Sequence, residues 1–273
     1  MKRLIAALVM AAAVSACPGP EGRKPDATAS TTPSPAPVAT ASATATAASN
    51  GARAVSEETD DFLFEYAYPS EAGRIPELAA LLDGRLARNR AELARDAVDA
   101  RREARSNGFP YNKHSFSSEW KVVADLPGWL SLSEDVATYT GGAHGNYTTQ
   151  SLVWDKNAAK ALEGIALFAS PEALGEALGD KFCKGLDRER AKRRGAPVAA
   201  DSQDQFDQCP GIDEIEILVG SSNRRTFNRL TLYAGPYVAG PYAEGAYEVN
   251  VNVDRAILGA LKPEYREAFS ARN

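Results

Sequence analysis

Phe62-Leu63-Phe64-Glu65-Tyr66-Ala67-Tyr68 alternates aromatic residues with residues of other kinds. This alternation predicts a β-strand that carries all of its aromatic side chains on one face. A helical pattern follows from about Ile75 to Arg105, because apolar residues recur there at helical spacing. The apolar stripe consists of Leu78, Leu82, Leu86, Leu93, Ala97 and Ala104. We expect Asn107-Gly108 to end this helix.

The rest of the carboxyl-terminal region alternates strand patterns with helical ones. Strands are predicted at about 115–125, 129–139, 147–155, 214–219, 227–233 and 246–253. A helix is predicted from about Pro171 to Arg194, with Ser170 as its N-cap. Short helices are predicted near 256–261 and 263–269. Strands grouped together with helices between them predict the α+β class, in which antiparallel sheets are packed with a few helices.

The first 56 residues differ in composition from the rest. Met1-Lys2-Arg3 precedes an apolar run from Leu4 to Val14, which is the pattern of a secretory signal peptide. This run is shorter than the stretch of about 20 residues that spans a bilayer. From Pro18 to about Ser56 the chain is rich in Ala, Thr, Ser and Pro and has no aromatic residue. Such a segment buries too little apolar surface to fold, so we predict a disordered tether.

The residues before Cys17 resemble a bacterial lipobox, since small residues (Val14-Ser15-Ala16) directly precede the cysteine. The resemblance implies that Cys17 is acylated and becomes the first mature residue. The protein would then be lipid-anchored in the bacterial cell envelope and face the periplasm. Pro18 is not the Asp of the familiar inner-membrane retention signal, which favours the outer membrane. The alternative is an ordinary signal peptide that is cleaved near Ala16.

The charge balance limits the classes of partner. The chain has 31 basic and 36 acidic side chains, for a net charge of −5. Nucleic-acid binding needs a concentrated basic surface, so we expect no nucleic-acid partner. An acidic protein suits a cationic partner better.

Three cysteines are present, and Cys17 accounts for one of them. Cys183 and Cys209 remain, and in an oxidising compartment we expect them to form a disulfide. The bond would close a loop of about 27 residues and stabilise the fold by about 3 to 4 kcal/mol. A pair of buried free thiols is the alternative.

Two glycine-rich segments are candidates for a binding site. The first, Thr138–Tyr147, contains Gly141, Gly142, His144 and Asn146. Glycine allows a ligand to approach the backbone closely, so this loop is suited to present its amide groups. It is not a phosphate-binding P-loop, because the required lysine and Ser/Thr are absent. The alternative is a structured hairpin loop whose histidine bonds the local backbone.

The second segment, Gly235–Gly245, repeats Gly-Pro-Tyr and then reaches an acidic residue. Its prolines and glycines preclude a continuous central strand, so we expect Tyr237 and Tyr242 to be presented on a rigid loop. Exposed tyrosine is favoured at protein interfaces, and Glu244 would add a negative charge beside it. The alternative is that the tyrosines pack under the sheet.

No enzyme motif is present in the sequence. It has no Gly-x-Ser-x-Gly elbow and no His-Glu-x-x-His helix, and His114 and His144 are its only histidines. Short metal-ligand spacings are also absent. We therefore expect a non-catalytic module without cofactor or metal. A glycosidase needs only two carboxylates, so a cell-wall hydrolase stays an alternative.

Both glycine-rich segments carry a family resemblance. Gly-Gly-Ala-His-Gly-Asn and Gly-Pro-Tyr-Ala-Glu-Gly are similar to motifs of DUF3298, the extracellular domain of RsiV-type anti-sigma factors. The part from Phe62 to about Tyr147 resembles the small domain that precedes the catalytic unit in PdaC-type peptidoglycan deacetylases. The predicted parts are a signal peptide (1–16), the tether (17–56), a PdaC-like part (57–155) and an RsiV-like part (156–273).

The resemblance implies a partner. RsiV-type receptors bind lysozyme, so the expected ligand is a lysozyme-like muramidase or the peptidoglycan that it attacks. The chain departs from those receptors because it has no transmembrane helix and no sigma-binding segment, so transmembrane signalling is not carried over. The PdaC catalytic unit is also missing, and deacetylation is not carried over. A glycan hydrolase or deacetylase, or a structural envelope lipoprotein, are the alternatives.

Overall fold

The computed structural model describes the backbone of residues 42–46 and both backbone and side chains of residues 50–272. The predicted signal peptide, Cys17 and most of the predicted tether lie outside the described residues. No helix in the described ranges is both long enough and apolar enough to cross a membrane.

The larger of two sheets contains seven strands in chain order. They are β1 (Ser42–Thr46), β2 (Arg53–Glu58), β3 (Phe62–Tyr68), β4 (His114–Leu126), β5 (Trp129–Tyr139), β6 (Asn146–Asp155) and β7 (Lys160–Leu162). All neighbouring strands are antiparallel except β3 and β4, which are parallel. A parallel pair needs a long crossover connection, and the helices between β3 and β4 provide it.

The crossover consists of a short helix α1 (Ser70–Gly73) and a long helix α2 (Pro76–Asn107). Pro76 occupies the first turn of α2, where its missing N–H costs nothing. Gly108 ends the helix in the left-handed conformation, with φ of 72°. Both boundaries lie within two residues of the predicted ones.

Helix α2 covers one face of the large sheet. All six residues of its predicted apolar stripe are buried there. All of them except Ala104 belong to one core with the aromatic face of β3, whose residues Phe62, Phe64, Tyr66 and Tyr68 are also buried. The hydroxyl of Tyr66 accepts a hydrogen bond from Trp120 Nε1 at 2.9 Å and donates one to the carbonyl of Leu82 at 3.2 Å. The alternation and helical periodicity of the sequence therefore predicted this first core correctly.

The second sheet has the strand order β10-β9-β8 and is antiparallel. Its strands are β8 (Glu216–Gly220), β9 (Arg229–Ala234) and β10 (Tyr247–Asn252). The helices of this region are α3 (Pro171–Leu178), α4 (Lys181–Arg194) and α5 (Arg255–Gly259), and a 3₁₀ turn spans Pro263–Ala268. Together they bury a second core that includes Phe182, Leu186 and Val249. The predicted α+β class is confirmed.

The region predicted as one helix from Pro171 to Arg194 forms two helices instead. Ser170 caps α3 as predicted, since its side chain accepts a hydrogen bond from the N–H of Ala173 at 3.1 Å. Gly179 then adopts φ of 51° and ψ of −131°, which no helix accommodates. Glycine takes this conformation without steric cost, so the chain turns there before α4 begins.

The predicted tether also contains strands at its carboxyl end, because β1 and β2 both lie within 17–56 or cross its boundary. Strand β2 pairs with β3 along its whole length. Its Glu57 is buried and accepts two hydrogen bonds from Arg90 of α2, at 2.6 and 2.7 Å. Pairing with the next strand and an ion pair to the more distant Arg90 thus fix the position of a polar segment, which composition alone did not predict. The folded part begins no later than Arg53.

Candidate functional site

Two connecting loops bring the predicted glycine-rich segments together. Residues 140–145 join β5 to β6, and residues 235–246 join β9 to β10. The hydroxyl of Tyr242 donates a hydrogen bond to the carbonyl of Gly145 at 2.7 Å, which connects the two loops directly. The two sheets therefore place both sequence candidates at one site.

Four aromatic side chains form the centre of this site, and we refer to His144, Tyr147, Tyr237 and Tyr242 as the aromatic cluster. The imidazole of His144 stacks on the ring of Tyr242, with 4.0 Å between centroids and 23° between planes. Tyr147 and Tyr237 flank Tyr242 at centroid distances of 6.0 and 5.6 Å. The hydroxyl of Tyr237 lies 3.3 Å from Nε2 of His144.

The aromatic cluster is open to solvent. Tyr237 is 52% exposed and Tyr147 is 38% exposed. Tyr237 has φ of 68°, a left-handed conformation that is costly for a bulky residue. Backbone conformations of this kind persist where the surrounding structure fixes them, and they recur at functional sites.

Glu244 has a different position from the one its sequence context predicts. Its carboxylate accepts hydrogen bonds from Nε and Nη2 of Arg194 at 2.8 and 3.0 Å, and a third from the hydroxyl of Tyr247. Burial raises the pKa of Glu244, but the bonds from Arg194 and Tyr247 outweigh it and hold this pKa below its ordinary value of 4.5. Glu244 is therefore paired inside the protein, and its negative charge is not free for a partner.

Close packing explains two glycines of the second loop. A Cβ on Gly240 would lie 2.5 Å from Oε2 of Glu244 and 2.9 Å from Cε2 of Tyr247. A Cβ on Gly245 would lie 2.8 Å from the hydroxyl oxygen of Tyr147, and Gly245 has φ of 71°. Because these glycines have no side chain, the loop can pack closely against the carboxylate of Glu244 and the hydroxyl of Tyr147.

The other predicted residues lie at the edge of the site. Gly141 adopts φ of 87°, and its carbonyl accepts a hydrogen bond from Nδ2 of Asn112 at 3.0 Å. Gly142 and Asn146 are exposed, and Asn146 begins β6. The Nδ1 atom of His144 lies 2.9 Å from the carbonyl of Gly145, so this histidine also bonds the local backbone.

A groove of about 630 Å³ adjoins the aromatic cluster, and Tyr147 forms part of its wall. The carboxylates that line it are those of Glu119, Asp135, Glu244 and Glu248. Lys121 lies between Glu119 and Asp135, with N–O distances of 2.9 and 2.8 Å. Hydrogen bonds to these two carboxylates raise the pKa of Lys121 above its ordinary value, so its ammonium group stays protonated.

Tyr147 also lines a second, smaller groove of about 230 Å³. Asp213, Glu214 and Glu216 also line it, and none of its lining residues is a lysine or an arginine. Burial raises the pKa of Glu216, whereas Asp213 and Glu214 are exposed. The aromatic cluster therefore adjoins two grooves. Carboxylates are the only charged groups that line the smaller groove, whereas in the larger one Arg193 and Lys121 offset part of the negative charge and Glu248 keeps its carboxylate exposed.

Sequence reasoning missed the residues that hold this site from behind. Arg190, Arg193 and Arg194 lie near the end of α4 and contact the 235–246 loop. Their spacing within Arg188-Glu189-Arg190-Ala191-Lys192-Arg193-Arg194 resembles any charged helix surface, so no sequence signal distinguishes them. The predicted disulfide between Cys183 and Cys209 is present beside them. Within the described ranges, no group of three or more His, Cys, Asp or Glu residues has the geometry to hold a metal ion.

The chain is similar to a known protein family over part of its length. The family model named Deacetylase PdaC matches residues 55–147, which covers β2 to the start of β6. A comparison with curated proteins gives no match.

Two similar solved structures are DUF3298 family proteins. One, from Pseudomonas aeruginosa PAO1, has a TM-score of 0.48 and 18% identity, over 86% of this chain and 96% of that chain. The other, from Bacteroides fragilis NCTC 9343, has a TM-score of 0.45 and 16% identity, over 82% of this chain and 98% of that chain. Both families named by the sequence motifs are thus the ones that these comparisons return.

Proposed function

We propose that this chain is a bacterial envelope lipoprotein whose folded body is a non-catalytic binding module for a cationic, lysozyme-like protein. The observation that carries the proposal is the position of Tyr147. This residue contacts Tyr242 in the aromatic cluster and lines both carboxylate grooves. Apolar anchoring and negative charge are therefore available on one continuous surface.

The aromatic cluster supplies the anchoring part of this surface. Tyrosine combines a large apolar ring with a hydrogen-bonding tip, and its side chain loses little conformational entropy on binding. Stacking against His144 and the bond to Gly145 already restrict the Tyr242 ring before any partner arrives. A side chain that is ordered in advance loses less entropy on binding, which favours affinity.

The two grooves supply the electrostatic part. Asp213 and Glu214 are exposed in the smaller groove, and Glu248 is exposed in the larger one. Opposite charges on a partner would raise the association rate and orient the encounter. Lysozymes are commonly cationic, so they match this surface in charge. Glu244 contributes indirectly, through the shape of the loop that carries Tyr242.

The location completes the proposal. Acylation of Cys17 would hold the body on a membrane of the cell envelope, with the outer membrane favoured, at the end of a tether. About 24 residues separate Cys17 from β1, and a flexible tether of that length has a root-mean-square reach of roughly 27 Å, more where prolines stiffen it. A module of this reach would meet a muramidase or the peptidoglycan layer in the periplasm.

Calorimetric titration of the full chain with a cationic c-type lysozyme tests the function. The matched control is the same lysozyme after succinylation of its lysines, which reverses their charge and leaves the main chain unchanged. We expect saturable binding of the unmodified lysozyme at low salt, and weaker binding at higher salt, where the Debye length falls below about 10 Å. The absence of measurable binding at low salt, or equal binding of both lysozymes, would contradict the proposal.

The match to the Deacetylase PdaC model favours cell-wall glycan as a second candidate ligand or substrate. Incubation of the full chain with purified peptidoglycan distinguishes the two candidates. Co-sedimentation without lysozyme binding would favour a glycan-binding module. Release of acetate or of soluble muropeptides would favour an enzyme.

A further inference from the structure

Three arginines of α4 fasten the loop that carries Tyr237 and Tyr242. Arg190 Nε donates a hydrogen bond to the carbonyl of Ala239 at 3.0 Å. Arg193 donates to the carbonyl of Glu244, and Arg194 binds the carboxylate of the same residue with two nitrogens. Bidentate arginine–carboxylate pairs fix orientation as well as distance. The end of α4 thus determines the position of this loop.

Two of these arginines also hold a second loop, which runs from Gly195 to Cys209. Arg190 donates to the carbonyls of Asp207 and Gln208, at 3.1 and 2.8 Å. Arg194 is paired with the carboxylate of Asp207. The side chain of Arg190 is completely buried, so its bonds to both loops are shielded from water. The two loops are connected through shared arginines.

The Gly195–Cys209 loop has little packing of its own, since none of its residues is buried. The disulfide joins its last residue, Cys209, to Cys183 in α4. Cys183 lies two helical turns before Arg190 and is packed against the second core. The bond therefore keeps Asp207 and Gln208 within reach of the arginines.

We infer that Arg194 and the Cys183–Cys209 bond are positioning elements that hold Tyr242 against His144. The connection runs from the disulfide through Asp207 and Arg194 to Glu244, and from there along the loop to Tyr242. Arg194 has two acidic partners, and both pairs raise its pKa, so it stays charged. Loss of either element would leave the aromatic residues present while releasing the stack between Tyr242 and His144. The expected effect on lysozyme affinity rests on the proposed function. The expected effect on the stack between Tyr242 and His144 does not depend on it.

The chain offers a direct probe, because His114 and His144 are its only histidines. A ring stacked at 4.0 Å experiences the ring current of its neighbour, which moves the His144 ring-proton resonance upfield. His114 is buried and close to Tyr111, makes no contact with Tyr242 or Arg194, and serves as an internal control. Nuclear magnetic resonance of the full chain with ¹³C-labelled histidine resolves both rings without any ligand.

We expect the His144 resonance to move downfield, towards that of an unstacked histidine, in Arg194→Gln and in the double variant Cys183→Ala/Cys209→Ala. The His114 resonance should not move. Arg194→Lys should restore part of the shift, because lysine keeps the charge but not the bidentate geometry. Arg188→Gln is the matched control on the same helix, since Arg188 is exposed and lines a groove with β10 instead.

Two results would overturn the inference: an unchanged His144 resonance in Arg194→Gln, or equal movement of both histidines, which would show a general effect on the fold. Lysozyme titration of the same variants is a separate measurement. If the His144 resonance moves as expected in the variants but the parent chain does not bind lysozyme, the inference about the positioning elements stands and the proposed function fails. If the parent binds and Arg194→Gln loses at least fivefold in affinity, both stand.

Discussion

His144 and Tyr242 stack face to face with 4.0 Å between their ring centroids, although they belong to loops of two different sheets. The stack joins the β5–β6 hairpin to the β9–β10 connection, and the exposed Tyr147 beside it lines two grooves that contain carboxylates. Each loop alone is an ordinary glycine-rich turn. The proposed binding surface depends on the fold, which brings the two loops into contact.

Tyr242→Ala should weaken lysozyme binding by about 1 to 3 kcal/mol, the range of a hot-spot residue. The substitution removes the ring that touches His144, Tyr147 and Tyr237. Tyr242→Phe is the control, because it keeps the ring and loses only the hydrogen bond to the Gly145 carbonyl. Calorimetry of both variants measures the change, and their melting temperatures should match that of the parent. Full affinity in Tyr242→Ala would remove this residue from the interface.

Glu244→Gln should destabilise the protein at neutral pH by about 1.5 to 3 kcal/mol, because the charged hydrogen bonds between a half-buried carboxylate and Arg194 are lost. The folded-state pKa of Glu244 lies below 4.5, so its stabilising effect is present above that value and disappears as pH falls through the folded-state pKa. The difference between parent and variant should therefore be larger at pH 7 than at pH 3.

Urea unfolding at both pH values measures this difference in the free energy of unfolding. Glu248→Gln is the control, because Glu248 is exposed on the adjoining strand β10. We expect it to change stability by less than about 0.5 kcal/mol. An equal effect of Glu244→Gln at pH 7 and pH 3 would show that the charge of Glu244 does not stabilise the loop.

Alkylation of the native protein under non-reducing conditions should leave Cys183 and Cys209 unlabelled, and reduction should expose both. Removal of the bond should cost about 2 to 5 kcal/mol, chiefly because it no longer restricts the unfolded chain. Mass spectrometry of alkylated peptides and urea unfolding of Cys183→Ala/Cys209→Ala test these expectations. Ready labelling of the native protein would contradict the pairing.

Cys17→Ser should block acylation and leave a precursor that retains the signal peptide. The serine lacks the thiol that accepts the lipid. Mass spectrometry of the mature amino terminus provides the measurement in the parent, where a lipid-modified Cys17 is expected. An unmodified Cys17, or cleavage at another bond, would replace the lipoprotein assignment with an ordinary secretory signal.

Local sequence patterns predicted the strands and helices better than they predicted how these elements pair and pack. The period of two in β3 and the helical period of α2 identified the first core, because each face of an element is buried as a unit. The parallel pairing of β3 with β4 could not be inferred, since the pattern of a strand does not specify its neighbour. Gly179 was also missed, because one glycine in a helical pattern does not reveal its φ angle.

The site was predicted only in part, for the same reason. The composition of two loops identified His144, Tyr237 and Tyr242, because glycine, proline and tyrosine mark rigid turns with exposed rings. The carboxylate of Glu244 is paired with Arg194, which lies fifty positions earlier in the chain. Long-range ion pairs of this kind have no signature in a single sequence, so Glu244 was predicted to face a partner when it faces α4.

The most direct test of the proposed binding surface is a titration of the ¹³C-histidine-labelled full chain with unlabelled cationic lysozyme, followed by nuclear magnetic resonance. If lysozyme binds the aromatic cluster, the His144 ring resonance will shift saturably, with the same midpoint as the calorimetric titration, and the buried His114 will not shift. Saturable calorimetric binding that leaves His144 unmoved would place the interface elsewhere and contradict the account.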